Sequence, residues 1–349
     1  MVKKIRIGIT RDIFDKDGNF IMPGPGLELL DNNPNLEYEV FSEFLPEITP
    51  GQIKNFDLVI SVTPKWTYNS FIGNDQLISV LRCGVGYDMV DVEALNKKGV
   101  MLCITSEAVR RPMAVAILTL LLALSTRLFI KDQLTRDGLW SESSKYYGYG
   151  LTGKILGSIG VGNIGHEMFA LTKLLGMKHI AYDPYITEDA LSDIDVKLVD
   201  MDTVLIESDF LNISCPLNEK SRHLIGEEEL LKMKKTAFLI NTARGAIIDE
   251  VALVKALQQG WIRGAGIDVY ETEPVSAKNP LLQMNNVIVT PHALGHTDEL
   301  FTVMWEEIVN HILQIMHGEA PNGLVNRKVW SELTLQLKIK KMLDSLHEI

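Results

Sequence analysis

The sequence has few cysteines, few cations and no long apolar run, and each shortage excludes a class of protein. Its 349 residues include only Cys83, Cys103 and Cys215, too few and too scattered for a disulfide framework or a tetrahedral zinc site. A reducing cytoplasm is therefore the expected compartment. Lysine and arginine number 34 against 45 acidic residues, so the formal net charge is −11. This balance disfavours nucleic acid and anionic membranes as partners.

The most apolar segment, from Met113 to Thr126, is shorter than the ~20 residues that a membrane-spanning helix needs. Arg127 follows it, and Arg110-Arg111-Pro112 precedes it in what is expected to be a loop. The segment therefore predicts a buried helix, continuing to about Ile130, that packs between domains or in a homodimer. No apolar signal core is visible near the N-terminus, which has the alternation of a first strand.

The length and the hydrophobic content of 46% suit two compact domains with real cores. Short β-branched runs alternate with helical patterns, which is typical of βαβ units and a parallel sheet. A helix is expected over Asp91–Lys98. The predicted strands are Ile5–Ile9, Tyr38–Phe41, Leu58–Val62, Val100–Ile104, Ile155–Ile159, Ile180–Tyr182, Phe210–Ser214, Ala237–Ile240, Gly266–Val269 and Val287–Val289.

A glycine-rich turn follows the predicted strand Ile155–Ile159. It reads Gly160-Val161-Gly162-Asn163-Ile164-Gly165 and opens a helical pattern. In such a turn the first glycine permits the bend, the second admits a pyrophosphate, and the third lets helix and strand pack closely. Asp183 ends the next strand, where a carboxylate accepts hydrogen bonds from adenosine ribose and repels a 2′-phosphate. The pattern predicts dinucleotide binding and favours NAD over NADP.

Three further polar motifs each follow a predicted strand. They are Asn241-Thr242-Ala243-Arg244-Gly245, Asp268-Val269-Tyr270-Glu271-Thr272-Glu273-Pro274 and Thr290-Pro291-His292-Ala293-Leu294-Gly295. In an open α/β sheet, ligands bind at the carboxyl ends of the strands. The three motifs are therefore expected to serve one ligand site.

With these motifs the chain resembles the D-isomer-specific 2-hydroxyacid dehydrogenase family, from about Ile53 to His292. Leu151-Thr152-Gly153-Lys154, which enters the glycine turn, and Cys215-Pro216-Leu217 add to the resemblance. The resemblance implies an NAD-dependent oxidoreductase that transfers a hydride between nicotinamide and a D-2-hydroxy acid or 2-oxo acid. Glutamine replaces Glu273 in the formate-oxidising branch, so Glu273 argues against formate as the substrate.

Arg244, Glu273 and His292 are the predicted catalytic residues. Arg244 offers a planar fork of donors to a 2-oxo acid, and His292 can donate or accept the proton that accompanies hydride transfer. Glu273 is expected to orient the imidazole of His292 and to favour its protonated form. By resemblance, the loop from Arg82 to Asp88 binds the substrate carboxylate, so the predicted substrate-binding residues are Val85, Gly86, Arg244 and His292.

The resemblance also implies which residues line the cofactor cleft. Asp268 is expected to accept a hydrogen bond from the nicotinamide carboxamide. The full predicted cofactor set is Gly160, Gly162, Asn163, Ile164, Gly165, Asp183, Cys215, Pro216, Thr242, Ala243, Asp268, His292 and Gly295.

The family's architecture is two Rossmann-like domains with parallel sheets, the nucleotide-binding domain being inserted into a flavodoxin-like substrate domain. Applied here, residues 1–104 and 297–325 form the substrate domain and residues 105–296 the NAD-binding domain. Residues 326–349 are a C-terminal extension in which apolar residues have roughly helical spacing, so it is expected to pack on the body or on a partner subunit.

Some features depart from the family or admit another interpretation. Arg110 and Arg111 replace small residues. Either they are solvated or pair with a partner subunit, or one of them selects a second anionic group on the substrate. Met89 stands where the family often has Asn. His292, His296 and Glu299 suggest a metal site only weakly, because Gly295 interrupts a helix there and hydride transfer needs no metal. The alternative functions are an NAD-sensing corepressor and, with less support from the motifs, a methyltransferase.

Overall fold

The computed structural model of the chain describes residues 4–347. It divides into two compact units: the residues up to Val109 together with those from His296 onward, and Arg110–Gly295. The sequence analysis placed the same two divisions after residues 104 and 296. The segment from Asn326, which was expected to pack on the body or on a partner subunit, belongs to the first unit.

The first unit is built on a five-stranded parallel sheet in the order β2-β1-β3-β4-β5. This is the flavodoxin-like order of doubly wound folds. Its strands are β1 (Ile5–Ile9), β2 (Leu36–Val40), β3 (Leu58–Ser61), β4 (Ser79–Arg82) and β5 (Met101–Ile104). Its helices are α1 (Glu28–Asp31), α2 (Pro50–Ile53), α3 (Val92–Lys98), the start of α4 (Ser106–Thr126), α10 (Asp298–Met316) and α11 (Leu333–His347).

The second unit has a seven-stranded parallel sheet in the order β12-β11-β10-β9-β6-β7-β8. From β6 the chain winds outward in one direction and then, from β9, in the other, as in a Rossmann fold. Its strands are β6 (Ile155–Ile159), β7 (Lys178–Tyr182), β8 (Lys197–Leu198), β9 (Phe210–Ile213), β10 (Phe238–Asn241), β11 (Gly264–Ile267) and β12 (Val287–Val289). Its helices are the rest of α4, α5 (Leu128–Arg136), α6 (Asn163–Thr172), α7 (Met201–Glu207), α8 (Glu227–Lys232) and α9 (Glu250–Gln259).

The central strands of the second sheet are buried on both faces, which is why they are largely apolar rather than alternating. Successive side chains of a strand point to opposite faces. Along β10, Leu239 accordingly joins one apolar cluster while Phe238 and Ile240 join the other. Two parallel-sheet α/β units confirm the predicted fold class.

Helix α4 was predicted wrongly at both of its ends. The sequence analysis placed Arg110-Arg111-Pro112 in a loop, because proline lacks the N–H that an interior helix residue donates. The helix instead begins at Ser106 and contains Pro112. The Glu307 carboxylate accepts hydrogen bonds from the N–H groups of Glu107 and Ala108, which supports this early start.

The C-terminal end of the predicted apolar helix was also misplaced. Arg127 adopts a left-handed conformation with φ 56°, so the chain bends there and α5 begins at Leu128. By length and composition α4 could cross a membrane, with a mean hydropathy of 1.6 over its most apolar 18 residues. However, 61% of that window is buried within the protein, as in the core helix of a soluble protein.

Most other elements lie where the sequence predicted them. β1, β6 and β12 have the predicted bounds, and the remaining predicted strands and the helix α3 are displaced by one or two residues. Strands β4 and β8 were not predicted: β8 has only two residues, and β4 has only two apolar residues between Ser79 and Arg82.

Candidate active site

The glycine turn joins β6 to α6 and requires glycine at two points for different reasons. Gly160 has φ +90°, and a Cβ there would lie 2.8 Å from the backbone nitrogen of Cys215. A Cβ on Gly165 would lie 3.1 Å from the carbonyl oxygen of Gly160. Gly162 caps α6, and a Cβ on it would meet no atom within 4 Å. The second glycine therefore leaves open space in front of the helix N-terminus, where a phosphate is favoured.

Asp183 lies beside this turn, at the end of β7. Its Oδ2 accepts a hydrogen bond of 2.9 Å from the Val161 N–H, and its Oδ1 accepts one of 2.9 Å from the Tyr185 N–H. The carboxylate is thus fixed against the glycine turn. Carboxylate oxygens carry further lone pairs, so these bonds leave acceptor capacity for ribose hydroxyls.

Cys215 and Pro216 follow β9, the strand beside β6. Burial raises the pKa of the Cys215 thiol to about 11, so the thiol is neutral at physiological pH. The sequence analysis did not recognise the polar residues beneath this turn. The Asn212 amide donates to Ser158 Oγ at 3.3 Å and to Ser214 Oγ at 2.7 Å, bracing the two strand ends.

The turn that carries Arg244 follows β10 and is held by Asn241. The Asn241 side chain donates to the Arg244 carbonyl at 2.9 Å and accepts from the Ala243 N–H at 3.0 Å. Thr242 between them is buried. A Cβ on Gly245 would lie 1.9 Å from the carbonyl carbon of Tyr270, so only glycine lets this turn pack against the next motif.

Glu273 and His292 are in direct contact. Glu273 Oε2 lies 2.7 Å from His292 Nδ1, and the two side chains are 35% and 44% exposed. Burial acts to raise the pKa of Glu273, but hydrogen bonds from His292 and the Tyr270 N–H and the charge of Arg244 outweigh it, so the pKa is lowered. Glu273 is therefore a carboxylate at neutral pH and can stabilise an imidazolium.

His292 adopts a left-handed backbone conformation with φ 55°, which is uncommon outside glycine. Buried Asp268 holds it there, because its Oδ1 accepts hydrogen bonds from Thr290 Oγ1 at 2.6 Å and from the Ala293 and Leu294 N–H groups at 3.2 and 3.3 Å. The backbone departs from ordinary geometry at the predicted acid–base residue, as is typical of functional sites.

Tyr270 joins the two motifs and was missed as a functional residue, although it lies inside the Asp268–Pro274 segment. Its N–H donates to Glu273 Oε1 at 2.9 Å, and its hydroxyl donates to the Thr290 carbonyl at 3.1 Å. One residue thus fixes both the carboxylate that meets His292 and the strand end that leads to His292.

The family model for the D-isomer specific 2-hydroxyacid dehydrogenase NAD-binding domain matches residues 118–293. A glyoxylate reductase of Korarchaeum cryptofilum is 33% identical over 333 residues, which cover 93% of this chain and 97% of that protein. The chain belongs to the D-isomer-specific 2-hydroxyacid dehydrogenase family. A glyoxylate reductase of Thermococcus litoralis is 38% identical over 278 residues, covering 78% and 84% of the two chains.

A solved structure supports the same assignment. The D-lactate dehydrogenase of Aquifex aeolicus, crystallised with NAD and lactic acid, matches with a TM-score of 0.79 and 25% identity over 92% of this chain and 99% of that one. The protein is accordingly an NAD-dependent 2-hydroxyacid dehydrogenase, and its second unit is the NAD-binding domain. These relatives support the predicted enzyme function over the alternatives of a corepressor and a methyltransferase.

The remaining predicted site residues lie in less telling surroundings. A Cβ on Gly295 would lie 2.3 Å from Met113 Sδ, so this glycine lets the segment after His292 pack on α4. In the first unit, Val85 and Gly86 follow Gly84, whose N–H donates to Thr105 Oγ1 at 2.7 Å. Over residues 4–347 no group of three or more His, Cys, Asp or Glu side chains is arranged to hold a metal ion.

The two unusual arginines contact α6 from α4. Arg111 Nη1 lies 2.6 Å from Glu167 Oε1, and Arg110 Nε lies 3.9 Å from Glu167 Oε2. Met89 packs against the apolar core of the first unit, and its carbonyl accepts from the Trp66 N–H. Met89 therefore serves packing at the position where the family often has Asn.

Proposed function

We propose that this enzyme reduces glyoxylate, or a 2-oxo acid of similar size, to the 2-hydroxy acid with NADH. The contact between Glu273 Oε2 and His292 Nδ1 carries the proposal, because it leaves the other ring nitrogen as the atom that exchanges a proton with substrate. Glyoxylate is suggested by the names of the relatives, several of which are glyoxylate reductases.

Each catalytic residue has one role in this reaction. When bound, NADH would supply the hydride for the carbonyl carbon. His292 Nε2 gives its proton to the resulting alkoxide oxygen, so that 2-oxo acid, NADH and one proton become 2-hydroxy acid and NAD. Arg244 would bind the substrate carboxylate and the adjacent carbonyl through its planar fork of N–H donors. Glu273 keeps the imidazole oriented and, being anionic, favours its protonated form.

The second unit supplies the groups that hold NAD. Gly160, Gly162 and Gly165 form the pyrophosphate turn together with the N–H groups of Asn163 and Ile164, and Asp183 accepts from the adenosine ribose. Cys215, Pro216, Thr242 and Ala243 line the cleft, while Asp268 accepts from the carboxamide and His292 and Gly295 close its nicotinamide end. The open space at Gly162 and the fixed carboxylate of Asp183 support this assignment.

The first unit is proposed as the substrate domain. The N–H groups of Val85 and Gly86 would bind the substrate carboxylate. The Gly84 φ of +113° supports a close backbone approach in this loop.

A cytoplasmic homodimer that binds neither nucleic acid nor membrane completes the proposal. The charge of −11 supports the absence of those two partners. Leu128, Phe129 and Trp140 are 54%, 58% and 77% exposed in one stretch, and apolar exposure of this kind supports burial against a second copy.

A spectrophotometric panel tests the proposal. NADH oxidation is measured with glyoxylate, hydroxypyruvate, pyruvate and larger 2-oxo acids, with wild type and His292→Ala side by side. We expect the highest kcat/KM with glyoxylate and a loss of about 100-fold or more in H292A. Equal turnover by H292A would refute the assigned chemistry, and tight NAD binding without turnover of any acid would favour a sensor.

A further inference from the structure

The loop that carries Glu273 also carries the carboxylate of a second histidine–carboxylate pair. Glu271 Oε1 lies 2.7 Å from His223 Nε2, the same separation as between Glu273 and His292. Glu271 and Glu273 are two residues apart on one short loop. His223 belongs to neither the glycine turn nor the three strand-end motifs, and the proposed function gives it no role.

His223 is fixed by its backbone between two parts of the active site. Its φ is +51°, and its N–H donates to the carbonyl of Ala246, two residues after Arg244, at 2.9 Å. Upstream, Ser221 Oγ donates to the Pro216 carbonyl at 2.6 Å, which closes the turn that follows Cys215. The backbone of His223 is thus bonded to the Arg244 turn, and the segment just before it is bonded to the turn that follows Cys215.

Glu271 is held from its other side by Glu250, the first residue of α9. The Glu250 N–H donates to Glu271 Oε2 at 3.3 Å, and the Glu271 N–H donates to Glu250 Oε2 at 3.0 Å. Asn279 donates to the remaining Glu250 oxygen at 2.7 Å. Both carboxylate oxygens of Glu271 therefore have a partner, His223 Nε2 for Oε1 and the Glu250 N–H for Oε2.

Only Thr272 separates Glu271 from Glu273 in the sequence. The N–H of Tyr270, the residue before Glu271, donates to Glu273 Oε1. The Tyr270–Glu271 peptide packs so closely against Gly245 that a Cβ on Gly245 would not fit. Any displacement of Glu271 is therefore transmitted to the carboxylate that orients His292. The charged groups that act on Glu273 itself are His292 and Arg244.

We propose that His223 is a positioning residue for hydride transfer: through Glu271 it fixes the loop that aims Glu273 at His292. The inference rests on the proposed roles of His292 and Glu273. His223 touches neither reactant, and it acts only by keeping the carboxylate of Glu273 within hydrogen-bond distance of the imidazole. With side chains 42% and 30% exposed, the His223–Glu271 pair adds little to stability, so its effect falls on catalysis.

The test compares His223→Ala, Glu271→Ala, the double variant and Lys232→Gln. The control K232Q breaks a surface pair of the same 2.7 Å length with Asp202, away from this loop. We measure kcat, its pH dependence, the KM for NADH and the thermal midpoint with the best 2-oxo acid of the panel. We expect H223A to lower kcat about tenfold and to move the pH–rate profile to lower pH, with an unchanged KM for NADH.

The double variant decides whether the two residues act through one contact. If they do, it matches E271A rather than multiplying the two losses. A kcat and pH profile of H223A equal to those of K232Q overturn the inference, as do multiplicative losses. Should H223A fail to fold, a wild-type kcat and profile in E271A overturn it instead. H292A is measured in parallel: if it stays active the proposed function fails, whereas an inactive H292A beside an unaffected H223A refutes only the positioning role.

Discussion

Thr290, two residues before the proposed proton donor His292, donates a 2.6 Å hydrogen bond from its hydroxyl to Oδ1 of Asp268. The same oxygen accepts from the N–H groups of Ala293 and Leu294, on the other side of His292. One buried carboxylate oxygen therefore closes the turn from both ends. A left-handed φ at a non-glycine residue costs about 1–3 kcal/mol, and contacts of this kind keep it populated.

We expect Thr290→Val to lower kcat about tenfold while the affinity for NADH stays unchanged. The substitution removes one of the three donors from Asp268 but leaves the carboxylate that is proposed to meet the nicotinamide carboxamide. Steady-state kinetics and NADH fluorescence titration measure the two effects. Thr135→Val, which removes a hydroxyl bonded to the Lys131 carbonyl in α5, is the matched control. A wild-type kcat in T290V would show that the turn holds its shape without this bond.

Replacing Glu273 with Gln is expected to move the pH–rate profile to lower pH. Reduction uses the protonated imidazole of His292, so its rate falls as the pH rises and that proton is lost. The negative charge of Glu273 stabilises the proton, and its removal lets the proton leave at lower pH. The descending limb of the reduction profile should therefore move to lower pH.

The control for E273Q is Asp193→Asn, which neutralises the partner of His166 in another exposed pair with a separation of 2.9 Å. Its profile should superimpose on that of the wild-type enzyme. If the E273Q profile also superimposes, Glu273 orients the ring without influencing its proton, and the electrostatic part of its role is lost.

The sequence predicted the strand ends better than the geometry that follows them. The sequence predicted the location of Asp183, Arg244 and His292 because each closely follows an apolar strand, and a parallel sheet brings the ends of its strands to one edge. The left-handed φ of His292 could not be predicted, because it depends on hydrogen bonds that Thr290, Ala293 and Leu294 donate to Asp268, more than twenty positions earlier. Arg127 gave no warning of the break after α4, since arginine has no preference for that conformation.

His311 in α10 is expected to make the first unit less stable at acidic pH. Burial lowers its pKa from 6.5 to about 4, and its Nε2 accepts a hydrogen bond from the Gly323 N–H at 3.2 Å. The unfolded chain therefore binds a proton between pH 6.5 and about 4 that the folded chain refuses. Stability is full above pH 6.5 and falls as the pH drops through this window, by up to ~3 kcal/mol.

Urea unfolding at several pH values between 4 and 7.5 measures this dependence. His311→Gln keeps an acceptor for Gly323 but cannot be protonated, so its stability should vary less with pH than that of the wild type. His317→Gln, at the exposed end of the same helix, is the control and should retain the wild-type slope. Parallel slopes for H311Q and the wild type would exclude His311 as the source.

Lys338 anchors α11, which lies in the segment that the sequence predicted as a C-terminal extension. Its ammonium donates to the carbonyls of Leu77, Lys98 and Gly99 at 2.9, 2.7 and 3.2 Å, and burial lowers its pKa to about 8. At pH 7 the group is charged in both the folded and the unfolded chain. Between pH 8 and 10.5 the folded chain has lost a proton that the unfolded chain keeps, so this group makes the protein more stable as the pH rises.

We expect Lys338→Met to lower the free energy of unfolding at pH 7 by about 1–3 kcal/mol, because three carbonyls lose their shared donor. The variant should also lack the rise in stability above pH 8. Lys340→Met, on the exposed side of the same helix, controls for the loss of one positive charge and should unfold like the wild type. Thermal unfolding at pH 7 and pH 9.5 measures both effects. If K338M is as stable as K340M at both values, apolar packing of Leu335, Ile339 and Met342 alone holds α11 in place.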